Sequence, residues 1–141
     1  MTETNSRMKS AAVRTDAEAA AKHGKHVPPY DLEERTFQFA WRVRAFVRKI
    51  PRTLSNAEDA RQLIRASGSV GANYVEANDA LGRKDFVMHV RITRKEAKES
   101  RYWLRLLYLK DDATLEGERK YLIEESTELI CIFSSIITKS T

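Results

Sequence analysis

The chain has little cysteine, proline and glycine, and it has no long apolar run. Its 141 residues include one Cys, three Pro and five Gly. A single cysteine excludes a disulfide framework within the chain and favours a reducing compartment. So few prolines and glycines provide too few turn-forming residues for an all-β fold. No apolar segment approaches the roughly 18 residues that span a bilayer, and the first residues lack the apolar core of a signal peptide. These absences favour a cytoplasmic helical protein with no membrane partner.

Charge is abundant but unevenly distributed. Charged residues make up 32% of the chain, and the formal net charge is +5. Residues 30–110 contain 17 Lys and Arg against 10 Asp and Glu, whereas residues 111–141 contain 3 against 7. A basic body with an acidic final segment fits either nucleic-acid binding or charge pairing between subunits, and composition does not distinguish them.

The pattern along the chain divides it into a polar tail and a helical body. Residues 1–29 are polar and Ala-rich without an amphipathic period, which predicts a flexible tail. Its His23 and His26 are too few for a metal site. Within residues 30–141, apolar side chains recur every three or four positions, which predicts helices at 32–50, 57–80, 84–109 and 116–138. Short connections between them predict an all-α, up-down-up-down four-helix bundle, residues 30–141 forming one domain.

Local residues predict where these helices begin and end. The predicted N-caps are Asp31, Ser55 or Asn56, and Thr114, and Gly82 is the predicted C-terminal glycine of the second helix. The first helix has its predicted apolar seam at Phe37, Ala40, Val43, Val47 and Ile50, widened by Phe39 and Phe46. Cys131 lies among isoleucines, which predicts a buried, unreactive thiol. The β-branched end of the fourth helix leaves a strand as an alternative there.

Two glycines, Gly68 and Gly71, lie in the middle of the second predicted helix. An interior Gly costs roughly 1 kcal/mol relative to Ala. Close approach of another helix would offset this cost. A phosphate-binding glycine loop requires a strand-loop-helix context and often a Lys, and neither is visible here. The two glycines therefore predict close packing of helices or subunits.

A line of polar residues follows the second helix, and a second line follows the third. The first line is Arg65, Ser69, Asn73 and Glu76, and the second is Glu96, Glu99 and Trp103. We expect a network within the bundle or between subunits, with Arg65 paired to Glu96 or Glu99; the alternative is that these groups are largely exposed. No Glu is followed three residues later by His, so the di-iron bundle motif is missing and we expect no metal, cofactor or catalytic site.

Basic residues form a stripe on the third predicted helix, with more on the first. On the third helix they are Arg91, Arg94, Lys95, Lys98, Arg101 and Arg105. On the first helix they are Arg35, Arg42, Arg44, Arg48 and Lys49. Such stripes suit sequence-independent phosphate contacts. The alternative is a solvated face partly paired with acidic residues, including those of a neighbouring subunit's fourth helix. No groove-reading motif is present, so sequence-specific readout is not expected.

Four motifs carry a family resemblance: LEERTF at 32–37, QLIRASGSVGANYVEA at 62–77, KDF at 84–86 and RKEAKESRYWLRL at 94–106. With them the chain resembles the four-helix-bundle family of 23S rRNA intervening-sequence proteins, and the tail lies outside the match. The resemblance implies a bacterial, cytoplasmic homopentamer without catalytic residues. The chain is also similar to the accessory bundle of diversity-generating retroelements, which pairs with a reverse transcriptase and binds nucleic acid. The implied function is a non-enzymatic binding or scaffold protein with RNA, DNA or protein partners; the alternative is a purely structural self-assembling bundle.

Overall fold

Four helices make up the fold. The computed structural model describes residues 29–141, so the predicted tail with His23 and His26 lies outside the described residues. The helices are α1 (Pro29–Val47), α2 (Leu54–Asn78), α3 (Arg83–Leu106) and α4 (Ala113–Ser140). Both α1 and α3 pack against α2 and α4, which places α1 and α3 diagonally across the bundle. The part of the chain that the structure describes contains no strand, so the all-α, four-helix prediction is confirmed and the strand alternative is wrong.

The core is one apolar face of each helix. Its fully buried large side chains include Leu32, Phe39, Val43 and Phe46 of α1, Leu63 and Val70 of α2, Val90 and Leu104 of α3, and Leu129 and Phe133 of α4. The Tyr74 and Phe133 rings meet at the centre with centroids 5.7 Å apart. Phe37 is 56% exposed, so its predicted place in the α1 seam is wrong. Residues 32, 39, 43 and 46 share one helical face, and position 37 points away from it.

Two helices begin earlier than predicted because a capping side chain comes first. Thr53 Oγ1 accepts a hydrogen bond from Asn56 N (3.1 Å) at the start of α2. Asp112 Oδ1 accepts one from Leu115 N (3.0 Å) at the start of α4. Each satisfies a backbone donor that has no partner within its helix. The N-cap predictions for the second and fourth helices, Ser55 or Asn56 and Thr114, are therefore wrong.

Two other predicted helix ends are also wrong. Asp31 lies inside the first turn of α1, where its carboxylate faces the positive end of the helix dipole. Gly82 does not end α2, which terminates at the C-cap Asp79. It instead precedes α3 as its N-cap, in an extended conformation with φ of −153°.

The Asn56 side chain forms hydrogen bonds to two connections of the bundle, the one between α1 and α2 and the one between α3 and α4. Its Nδ2 donates to Pro51 O (2.9 Å) and to Tyr108 O (2.8 Å), and its Oδ1 accepts from Tyr108 N (2.9 Å). The Arg119 guanidinium donates to Leu107 O at 2.6 Å, where it satisfies a carbonyl at the end of α3. These bonds explain why α3 ends at Leu106 rather than at residue 109.

Cys131 is exposed, so the prediction of a buried thiol is wrong. It lies between the buried Ile130 and the partly buried Ile132, but its own position on α4 faces solvent. Isoleucines on both sides therefore did not indicate burial, because one residue turns the side chain by about 100°. None of the described helices combines the length and the apolarity that a membrane crossing requires.

Candidate nucleic-acid interface and its polar neighbours

Six cationic side chains lie on one side of α3. We call this set the α3 basic face: Arg91, Arg94, Lys95, Lys98, Arg101 and Arg105. Arg94 Nη1 donates to Ser134 Oγ at 3.2 Å, and Arg101 Nη1 donates to Thr127 Oγ1 at 3.1 Å. The other four are exposed. Within residues 29–141, no member of the face forms an ion pair.

The neighbouring flank of α4 explains why this charge is uncompensated. Where α4 meets Arg94 and Arg101 it presents the hydroxyls of Ser134 and Thr127 rather than carboxylates. Six like charges along about 20 Å of helix produce a strong positive potential. Their spacing and exposure suit contacts with a polyanion backbone.

Two of the basic residues predicted on the first helix, Arg42 of α1 and Lys49 two residues after its end, contact the other flank of α4. Lys49 Nζ lies 2.6 Å from Glu118 Oε2. The Arg42 guanidinium carbon lies 4.4 Å from the centroid of the Tyr121 ring, a cation–π distance. The structure therefore does not bring Arg42 and Lys49 together with the α3 basic face.

The remaining two candidates of α1 lie away from α3 as well. Arg44 is half-buried and donates to the carbonyl oxygens of Ala40 (3.2 Å) and Ile64 (3.4 Å), against α2. Arg48 is exposed near the end of α1. Of the two predicted stripes, only that of α3 forms a continuous face.

Arg35, predicted on the basic stripe of the first helix, is instead buried in the core at 2% exposure. Its Nε and Nη2 donate to the two carboxylate oxygens of Glu125 at 2.7 and 2.9 Å, and Nη2 also donates to Glu128 Oε1 at 2.7 Å. Burial alone lowers the pKa of Arg35, but the hydrogen bonds and charges of the two glutamates outweigh burial and raise it. The prediction for Arg35 was therefore wrong. Its position could have indicated this burial, because Arg35 comes three residues after Leu32 and four before Phe39, on the apolar face of the helix.

The predicted pairing of Arg65 lies within one chain, between α2 and α3. Arg65 Nη2 is 3.3 Å from Glu99 Oε1, and Nη1 is 3.9 Å from Glu96 Oε1. The Arg65 side chain is 54% exposed, whereas Glu96 is buried. The interaction is therefore a partly solvated link between two helices.

The other members of the two polar lines do not join this link. Asn73 Nδ2 donates to Ser69 O on its own helix at 2.9 Å, and Glu76 is exposed. Trp103 packs edge-on against Tyr102, with centroids 5.0 Å apart. Its buried Nε1 finds no hydrogen-bond acceptor among the described residues.

The two glycines of α2 both face α1, but against different neighbours. A Cβ at position 71 would lie 2.9 Å from Thr36 Oγ1 and 3.3 Å from Thr36 Cβ. At position 68 the nearest atom would be Arg44 Nη2, at 3.2 Å. Gly71 thus allows close approach of α1, whereas Gly68 leaves space for a flexible guanidinium.

Residues 29–141 contain no group of three His, Cys, Asp or Glu side chains placed to hold a metal ion. His89 Nε2 lies 3.5 Å from Asp85 Oδ1 on its own helix. Burial raises the pKa of Tyr74 to about 12, opposed by an Asn78 hydrogen bond and reinforced by the Glu33 charge, so this core phenol stays neutral at ordinary pH.

Together these features describe a four-helix bundle with one uncompensated cationic helix face. The family model of the 23S rRNA-intervening sequence protein matches residues 30–133, and the chain belongs to this family. The chain is also similar to the crystal structure of a protein of unknown function from the S23 ribosomal protein family of Bacteroides thetaiotaomicron. That match has 28% identity and a TM-score of 0.63, and it covers 74% of this chain and 96% of that chain. No curated protein matches. The family resemblance in the motifs is thus confirmed.

Proposed function

We propose that this protein is a non-enzymatic, self-associating bundle that binds RNA or DNA through the α3 basic face without sequence specificity. The observation that carries the proposal is the lack of ion pairs at all six cations of that face within residues 29–141. Unpaired like charges at helical spacing repel one another, and a polyanion relieves that repulsion.

The distribution of acidic residues favours this function over a purely structural one. A structural oligomer would pair the α3 basic face with the acidic fourth helix of a neighbouring subunit. Most carboxylates of α4 are already used within the chain: Glu125 and Glu128 by Arg35, Glu118 by Lys49, and Glu116 by Arg119. Too little free acid remains on α4 to neutralise six cations of another subunit.

Self-association is supported by the outer face of α1. Phe37 and Trp41 are 56% and 59% exposed, and their rings stack with centroids 6.2 Å apart. Exposed large apolar side chains that lie together mark interaction surfaces. The family resemblance of the motifs implies a pentamer. Light scattering from the purified protein gives the mass of the assembly, and a monomer at working concentration would contradict this part of the proposal.

Nucleic-acid binding is tested by fluorescence anisotropy with a short single-stranded RNA and the DNA of the same sequence. We expect both to bind, with affinity falling steeply between about 50 and about 200 mM salt. Removing two charges of the α3 basic face, in the double variant Lys95→Gln/Lys98→Gln, should lower the salt slope by about two.

The matched control is the double variant Arg42→Gln/Lys49→Gln, which removes the same charge from α1. Because Glu118 pairs with Lys49 and Arg42 covers Tyr121, this variant should leave the salt slope nearly unchanged. The absence of binding at low salt, or equal effects of the two double variants, would contradict the assignment to α3.

A further inference from the structure

An open cavity lies at the end of the bundle where α3 begins and α4 ends. It is a shallow depression that is largely open to solvent, with a volume of about 710 Å³. One side carries the cations Arg83, Lys84 and Arg91, and the wall between them is formed by Val87 and Met88. The last two residues of the chain described, Ser140 and Thr141, line the other side.

The charges around this cavity favour an anion. Arg83, Lys84 and Arg91 form no ion pair with any residue that the structure describes. No side chain caps the amino end of α3, so Asp85 in the first turn is the one acid there that offsets the positive end of the helix dipole. The nearest acid on the helix, Asp85, is not part of the lining and pairs with His89 instead. Three full positive charges outweigh the negative charge at the end of α4, which is the carboxylate of Thr141 in the lining together with about half a unit of partial charge from the helix dipole.

The apolar wall restricts the kind of anion. Val87 is buried, and Met88 is 48% exposed beside the three cations. Methionine is flexible and polarizable, and its sulfur packs favourably against aromatic rings. Cations beside an apolar wall suit a ligand that joins a phosphate to a flat ring, as a nucleotide does.

The cavity is continuous with the surface described above because Arg91 belongs to both. A strand held along the α3 basic face reaches the cavity at its Arg91 end. We infer that the cavity holds the terminal nucleotide of this strand, with its phosphate monoester bound by Arg83, Lys84 and Arg91 and its base against Met88. This inference rests on the proposed nucleic-acid binding and adds a preference for phosphorylated ends.

The test compares three RNAs of one sequence by anisotropy: one with a 5′-phosphate, one with a 3′-phosphate and one with neither. The two phosphorylated RNAs distinguish the polarity of the bound strand. Charge-assisted hydrogen bonds to the monoester should tighten binding of one of them about tenfold relative to the unphosphorylated RNA. The double variant Arg83→Gln/Lys84→Gln should abolish this ratio, and it should weaken binding of the unphosphorylated RNA no more than Lys95→Gln/Lys98→Gln does.

The control is Lys95→Gln/Lys98→Gln, which should weaken binding of all three RNAs and keep the ratio. Both double variants change exposed side chains, and circular dichroism checks that each is folded. Equal binding of the three RNAs by the wild type, or a ratio that survives Arg83→Gln/Lys84→Gln, would overturn the assignment of the cavity alone. If no RNA binds the wild type, the proposed function fails together with it.

Discussion

Two cations of the first predicted stripe have carboxylate partners and the cations of α3 have none, although both sets recur at helical spacing. On α1, Arg35 is buried against Glu125 and Lys49 pairs with Glu118. On α3, Lys98 and its five companions meet solvent or hydroxyl groups and no carboxylate of the described chain.

The difference originates in α4, which lies between the two helices. Its flank toward α1 carries Glu118, Glu125 and Glu128, whereas its flank toward α3 carries Thr127 and Ser134. The acidic residues of α4 therefore pair with two cations of the first predicted stripe, Arg35 and Lys49, and with none of the α3 basic face. Charge spacing along a helix shows where cations lie, but the facing helix decides whether they stabilise the fold or remain free for a ligand.

The largest expected effect comes from truncating the buried cation of α1. Arg35→Ala leaves Glu125 buried without its partner, so we expect the free energy of unfolding to fall by about 3–5 kcal/mol. Urea denaturation measures it. The control on α3, Lys98→Ala, should change stability by no more than about 0.5 kcal/mol.

If Arg35→Ala does not fold, a paired replacement keeps the comparison testable. Arg35→Met combined with Glu125→Leu removes both buried charges together and should recover most of the lost stability, because apolar replacements of buried ion pairs are often neutral. Equal stability of Arg35→Ala and Lys98→Ala would show that the two helices do not differ in this way.

The next largest effect is expected at the two glycines of α2, where Thr36 of α1 is a fixed neighbour and Arg44 of α1 is a flexible one. Gly71→Ala places a methyl group 2.9 Å from Thr36 Oγ1, which is itself bonded to Leu32 O, so we expect a loss of about 1–3 kcal/mol. In Gly68→Ala the neighbour of the new methyl group is the end of the Arg44 side chain, which can move away. The higher helix propensity of Ala should then stabilise the protein by about 1 kcal/mol.

Thermal melts of the two variants provide the measurement. Gly68→Ala should melt at or above the wild-type temperature, and Gly71→Ala below it. The reverse order would mean that Arg44 packs as rigidly as Thr36.

The smallest effect concerns the exposed ion pair of α1. Lys49→Gln breaks the contact with Glu118, but solvent screens both half-exposed groups, so the loss should be at most about 1 kcal/mol. Denaturation at low and at high salt measures it, and the difference from wild type should shrink as salt increases. A loss as large as that of Arg35→Ala would mean that burial is not what distinguishes the cations of α1.

The helical periodicity made most of the fold predictable. Apolar residues recur every three or four positions along α2 and α3, and those such as Leu63, Val70 and Leu104 are buried. The first helix was harder because Phe37 and Phe39 are equally apolar, and propensity does not tell which of them faces inward. Helix ends were predicted less accurately, since Thr53 and Asp112 supplied caps just before the expected ones.

The candidate site was predictable in composition but not in arrangement. The basic residues of α3 and the candidate partners of Arg65 are visible as spacings along single helices. Which cations remain unpaired depends on carboxylates about 90 residues away, as between Arg35 and Glu125. The cavity at the start of α3 also depends on how the last turn of α4 packs beside it, which no local pattern contains.

Four amphipathic helices, the family and the positions of the charges along each helix all follow from the amino-acid sequence alone. These properties are local, because side-chain spacing within one helix depends only on its 3.6-residue period. Only the tertiary structure decided that α4 turns its acids toward α1, buries Arg35 and leaves the α3 basic face uncompensated. Those outcomes depend on how each helix is rotated about its axis, and packing of the whole core sets that rotation.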